Sequence, residues 1–251
     1  MAREDKDEIE RGLDLLWGRA EPPSRGPKPG LRLGEIVQAA LTIADRDGLG
    51  AVSMRRIAEA LGFTTMSLYR YVPGKDELVD LMFDAAIGEP PAPGVDSGWR
   101  IELARWARAN FGLHHRHTWL LQVAIRRPPV GPNHLLWLDS ALRAVSGLGL
   151  QERDMVAVVL LVEHYVRGAA QIAVSMEQAA KSTGVTEADW GPRYAQIMKN
   201  AVTDGRYPAL AKVVSAGVFE QIDDDVDDFE FGLQCVLDGI EALISQPRRG
   251  L

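Results

Sequence analysis

Six side chains in the stretch LGFTTMSLYRYVPGKDEL, Leu61–Leu78, are of kinds that make contacts outside a protein's own core. They are Thr65, Met66, Ser67, Tyr69, Arg70 and Lys75. Leu68 and Val72 stand four apart and can share one face of a helix, which turns the others away from that face. The set suits a flat, polar, negatively charged partner. Thr65 and Ser67 can hydrogen-bond base edges or phosphates, and Met66 can pack on thymine methyls. Tyr69 offers a ring and a hydroxyl, while Arg70 and Lys75 offer charge for phosphates. Lys75 also falls at the start of the next helical pattern, where unpaired N–H groups favour an anion.

The elements that must hold these residues follow from local signals. Leu33, Ile36, Val37, Ala40, Leu41 and Ala44 repeat at three and four positions, and DGLG ends that first helix. Ser53 is placed to cap a second helix with Ile57, Ala58 and Leu61 on its apolar face. Gly62 closes it, because glycine takes a left-handed turn at low cost. Phe63 is expected to be buried at the corner. Thr64 caps a third, short helix that Pro73-Gly74 terminates. A fourth helix, 74–87, carries Leu78, Leu81, Met82, Ala85 and Ala86 on one face. Ser53–Val72 is therefore a helix-turn-helix, whose second helix presents its N-terminal residues to a major groove.

Charge argues the other way. The chain of 251 residues has a net charge of −7, and residues 33–87 hold five Lys/Arg against eight Asp/Glu. Nucleic-acid binders usually carry a basic patch, so Arg55, Arg56, Arg70 and Lys75 have to be well placed. Residues 1–32 form an N-terminal extension. Ile9, Leu13, Leu16 and Trp17 can share a helical face, and RAEPPSRGPKPGLR follows with Arg19, Arg25, Lys28 and Arg32 against Glu21. This segment is either a solvated tether or a basic arm for a minor groove.

After the break GEPPAPGVDSG, residues 99–251 read as helices near 99–116, 119–126, 133–147, 151–181, 190–203, 208–221 and 227–245. No strand alternation interrupts them, so the expected fold is all-α. A three-helix head is joined through the fourth helix to a larger helical body. The segment 151–181 is apolar nearly all round, which calls for burial on most sides, part of it by a second subunit. Helices 151–181 and 227–245 are expected to form a four-helix interface, with Val236 on its seam. His164, Arg167 and Gln171 on the same segment either bridge the core or dimer interface or face a pocket. Trp106, Phe111, Trp119, Trp137 and Tyr165 are either ordinary core or the wall of an aromatic cavity. His114 and His117 stand three apart. They either sit favourably at a helix C-terminus or contact a ligand.

Several classes are set aside. No apolar run is read as long enough to span a bilayer, and the charged N-terminus is not a secretory leader. One cysteine, Cys235, excludes an internal disulfide framework and a Cys-based zinc site; it is expected to be small and buried. The acidic run QIDDDVDDFEF, Gln221–Phe231, reads as a solvated loop and helix start. An enzyme is the rival class, but there is no phosphate-binding glycine loop and no nucleophile elbow. No catalytic residue, metal or cofactor is expected, and the expected location is cytoplasmic.

Residues 36–82, IVQAALTIADRDGLGAVSMRRIAEALGFTTMSLYRYVPGKDELVDLM, resemble the tetracycline-repressor (TetR) family of one-component bacterial regulators. The resemblance implies that Ser53, Arg55, Thr65, Met66, Ser67, Tyr69, Tyr71 and Lys75 touch double-stranded operator DNA; Arg70 is added from the chain itself. HRHTWLLQVAIRRPPVGPNHLLWLDSALRAV looks like the ligand-binding domain of the same family's tetracycline-repressor subgroup. It implies a homodimer, a pocket in each subunit, and loss of DNA affinity when a small-molecule effector binds. An effector must touch the fourth helix to move the head. The candidate lining is therefore Met82, Trp106, Asn110, His114, Trp137, His164, Arg167 and Gln171. The alternative is a DNA-binding dimer with no small-molecule effector.

Overall fold

A computed structural model of the chain describes residues 10–19, 30–95, 97–124, 130–220 and 228–245. The chain is all-α, and every regular element among the described residues is helical. Residues 10–16 form α1. Then come α2 (Leu33–Asp47), a 3-10 turn at Leu49–Ala51, α3 (Met54–Leu61), α4 (Thr65–Tyr69) and α5 (Lys75–Ile87). The body holds α6 (Trp99–Arg116), a 3-10 turn at Thr118–Gln122, α7 (Pro132–Val145) and α8 (Glu152–Thr183). It is completed by α9 (Glu187–Ala201), α10 (Pro208–Ser215) and α11 (Asp228–Ser245).

The head forms where the sequence signals place it. Ile36, Val37, Ala40, Leu41, Ile43 and Ala44 of α2 are buried, and Ile57 and Ala58 of α3 pack under them. The Ser53 hydroxyl accepts the Arg56 N–H at 3.2 Å, and Thr64 accepts the Ser67 N–H at 3.3 Å. Gly62 is left-handed, with φ 73°. Phe63 departs from expectation: its N–H is tied to the Ala58 carbonyl at 2.9 Å, yet its ring stays 40% exposed. The space under the corner is already filled by Ile57, Leu68 and Val72. On α5, Leu78, Leu81 and Met82 are buried as expected, but Asp84 is buried too and Ala85 is exposed.

In the body, α6 packs on α8 and α7, and α11 on α6 and α8. Two arginines of α6 staple α11 at its edge. Arg108 reaches Glu230 at 2.9 Å, and Arg100 reaches Asp238 at 2.5 Å and Glu241 at 3.1 Å. Gly232 is required where α11 crosses α8, since a Cβ there would lie 2.3 Å from the Tyr165 hydroxyl.

The expected helix at 119–126 is instead the 3-10 turn, with 125–129 outside the described residues. The basic arm and most of the acidic run also lie outside them. By length and composition α8 does pass the test for a membrane-crossing helix, which corrects the reading of no such run. Its apolar surplus has a different geometry: Val158, Val159, Val162, Val166, Ala170 and Val174 face the body. Leu160, Leu161, Ile172 and Met176 form a second, outward stripe.

Candidate nucleic-acid interface and effector site

The second helix of the helix-turn-helix is short, and its orientation is set by two anchors. Leu68 and Val72 are fully buried, linked by the Val72 N–H to the Leu68 carbonyl at 3.0 Å. Fixing that face leaves Met66 72% exposed and Tyr69 47% exposed. Arg70, Ser53, Arg55 and Lys75 are exposed too; Thr65 and Ser67 are partly so. Tyr71 is half-buried against the head core. Of the nine candidate residues, eight are therefore exposed or partly so, and Tyr71 is half-buried in support of the head.

The acidity of the head is partly spent within it. Arg55 Nε donates to Glu59 at 2.8 Å. Arg56 and Arg46 both pair with Asp47, holding that carboxyl below its ordinary range, chiefly through the hydrogen bond from Arg46. The Arg55–Glu59 pair is almost wholly solvated, and such pairs are worth about 0–1 kcal/mol. Exchanging Glu59 for a phosphate therefore costs little.

Two seams join head to body. At the first, Asp45 of α2 contacts His117 Nδ1 at 2.7 Å and accepts Trp119 Nε1–H at 2.7 Å. At the second, Asp84 of α5 accepts the N–H groups of Asn133 at 3.3 Å and His134 at 3.1 Å. It thus caps α7 from another helix. Asn133 returns a side-chain bond to the Asp84 carbonyl at 2.9 Å. Burial raises the Asp84 pKa against the lowering by those two N–H groups. Beside it His134 stacks on Phe83 at 5.2 Å, and burial lowers its pKa to about 4.

Inside the body lies a polar cluster between α6 and α8. Asn110 Nδ2 donates to Glu163 Oε2 at 2.6 Å. Arg167 donates to the Leu121 carbonyl at 3.2 Å. His114 is 4% exposed, and neither ring nitrogen has a partner among the described residues. Burial, then the charges of Arg167 and His115, lower its pKa to about 4. Burial raises that of Glu163, which Asn110, Arg167 and His164 oppose. The cluster can meet a ligand with a neutral imidazole, a guanidinium and a carboxyl.

Asn110, His114 and Arg167 belong to this cluster, and the other five expected lining residues lie apart from it. Trp106 and Trp137 are buried edge to face, but their N–H groups are committed to the Trp137 and Gly88 carbonyls at 3.0 and 2.9 Å. His164 and Gln171 are both exposed in one protomer, on the outward stripe with Leu161, away from this cluster. They lie seven apart, two helical turns, while Glu163 and Arg167 share the inward face. Glu163 is the residue that sequence reasoning missed, although a carboxylate inside VVLLVEHYVRG was visible. Met82 is fully buried in the core that α5 shares with the body. His117 contacts Asp45, whereas His114 has no hydrogen-bond partner among the described residues, so the two form no pair.

Further corrections concern α11. Cys235 is exposed, not buried. Val236 packs against the protomer's own core, because Leu233, Leu237 and Ile240 set the inward face. The outward face carries Phe231, Cys235 and Leu243. A seam with a second copy would run through those residues.

Comparison with known proteins gives a consistent picture. Residues 36–82 match the family model for bacterial regulatory proteins of the tetR family, and residues 90–244 match the tetracyclin repressor-like C-terminal domain. The chain is 42% identical over 245 residues to the HTH-type transcriptional repressor DrrR1 of Streptomyces coeruleorubidus, covering 97% of this chain and 89% of that protein. It is 33% identical over 198 residues to an HTH-type transcriptional regulator of Saccharopolyspora erythraea, covering 78% and 80%. Its fold is similar to that of the Streptomyces coelicolor protein ActR in complex with actinorhodin. The TM-score is 0.72 at 28% identity, covering 87% of this chain and 99% of ActR.

Proposed function

The chain belongs to the tetR family of bacterial regulatory proteins, and from that premise we propose that it is a ligand-responsive transcriptional repressor. It binds a near-palindromic operator as a homodimer and leaves it when a small molecule occupies the body. The observation that carries the reading is the exposure of Met66 and Tyr69 on a helix whose other face is locked by Leu68 and Val72. Large apolar groups held rigidly in water mark a contact surface. Thr65, Ser67, Arg70, Lys75, Ser53, Arg55 and Tyr71 complete it.

The dimer follows from the outward stripe of α8 and the outward face of α11. Leu160, Leu161 and Ile172 with Phe231 and Leu243 are apolar and exposed in one protomer. A two-fold interface places the same patch on both copies. His164 and Gln171 belong to that surface.

The effector enters beside Asn110, His114, Glu163 and Arg167. ActR has been solved with actinorhodin bound, which supports a ligand site in a body of this shape. The ligand acts only by its differential affinity for two arrangements of head and body. The seams at Asp45 and Asp84 are where that difference reaches α2 and α5. The protein works in the cytoplasm, on chromosomal DNA, without a catalytic role.

The test begins with duplexes selected from a random pool by the purified protein. The selected site is expected to be an inverted repeat bound by a dimer. Small molecules that raise the melting temperature are then expected to release it. Selection of no common site would overturn the DNA reading, and stabilising ligands that never release DNA would overturn the effector reading.

A further inference from the structure

We propose that the N-terminal helix α1 is an intramolecular clasp that holds the DNA-reading head against the body. It rests on the two-state reading above, because a clasp matters only if head and body change their arrangement.

Three contacts fall between Gly12 and Trp17. Leu15 and Leu16 pack against the main hydrophobic core. A Cβ at Gly12 would meet Glu77 Cγ at 3.9 Å, so α1 runs close along α5. Trp17 then donates its indole N–H to the Val130 carbonyl at 3.1 Å, across 113 positions of sequence. Val130 leads directly into α7, two residues before Pro132. Leu16 also walls a groove of ≈ 340 Å³ together with Val37 of α2, Leu81 and Asp84 of α5, and Asn133 of α7. α1 and the turn that follows it therefore touch the head on one side and the start of α7 on the other.

Those contacts lie beside the seam where Asp84 caps α7. A turn of α5 relative to α7 would move the two surfaces that α1 grips. Gly12, Leu16 and Trp17 lie within six residues, and at about 1.5 Å per helical residue so short a span cannot follow both. Either the Trp17 bond or the Leu15 and Leu16 contacts must be given up. The clasp thus favours the head–body arrangement seen here over any other. Trp17 is 40% exposed, so its hold on α7 is the indole N–H bond to the Val130 carbonyl, while Leu15 and Leu16 supply the packing. Residues that serve only as a tether have no reason to place a tryptophan at that carbonyl.

The test uses the whole chain, and its first part needs neither operator nor effector. Amide hydrogen exchange is compared in the native chain, in Trp17→Phe and in Leu16→Ser. Trp17→Phe keeps the ring and removes the donor. Peptides covering 130–136 contain the two N–H groups that Asp84 accepts. Their exchange is expected to rise about two- to tenfold, the range for losing one hydrogen bond of ordinary net strength. Peptides of α11 should not change. A selected duplex then reads the regulatory consequence: its affinity should shift at least about threefold in Trp17→Phe, with the same salt dependence. Unchanged exchange at 130–136 in Trp17→Phe overturns the clasp, even if Leu16→Ser loosens the head by local unfolding. Faster exchange with unchanged DNA affinity overturns its regulatory role and leaves the DNA reading standing.

Discussion

Replacing His114 by leucine should change how stability depends on pH, by an amount the structure sets. The imidazole is buried, and both ring nitrogens lack partners among the described residues. Its pKa falls from the ordinary 6.5 to about 4. A group depressed in this way is neutral in both states above pH 6.5. As the pH falls, the unfolded chain takes up the proton first, so stability is lost between about 6.5 and 4. At about 1.4 kcal/mol per pH unit the full loss is about 3 kcal/mol, of which about 2 kcal/mol falls between pH 7 and pH 5. Leucine has a similar volume and no proton to gain. The assay is urea unfolding at pH 7 and pH 5, at one fixed protomer concentration. The native chain should lose about 2 kcal/mol more than His114→Leu over that interval. His134 shifts in the same direction, but it is present in both proteins and cancels. At pH 7 the variant should be at least as stable, because a buried polar group without partners carries a desolvation cost that leucine does not. Parallel pH profiles for the two proteins would falsify the placement of a neutral, unpartnered imidazole in the body.

Other changes probe the remaining surfaces. Lys75→Ala should weaken binding to a selected duplex and lower the slope of log affinity against log salt by about one, the loss of one phosphate contact; an unchanged slope would remove Lys75 from the interface. Asp84→Ala leaves two N–H groups of α7 uncapped and should cost about 1–2 kcal/mol in chemical unfolding; no loss would mean that the cap is not formed in solution. Leu161→Glu places a charge on the outward stripe of α8 and should yield monomers in sedimentation at micromolar concentration, so a dimer as tight as the native one would exclude that face. Arg167→Ala should bind the selected duplex normally and fail to release it with any stabilising ligand found by screening; normal release would take Arg167 out of the effector site.

The head was legible in the sequence because its determinants are local. Ser53 and Thr64 cap helices three residues ahead of the N–H groups that they accept. Gly62 turns the chain where only a neighbour's backbone is involved. The spacing of Leu68 and Val72 alone decides which side chains of α4 face outward. Even the exposed contact set could be named from that spacing and from residue chemistry.

The body was legible as helices and illegible as a site. A helix apolar nearly all round, such as α8, shows no preferred inward face in its own sequence. Its phase is chosen by neighbours far along the chain, through Asn110 with Glu163 and the Leu121 carbonyl with Arg167. That choice turned His164 and Gln171 outward and Glu163 inward. Asp84 and Asp45 carry no signal in the sequence, and Trp17 only a place on an apolar face, until tertiary packing brings them to Asn133, His117 and Val130. Caps and turns act over about four residues, so sequence alone determines them; these distant polar partners meet across 46 to 113 positions, and only the packing of whole helices selects which of them meet.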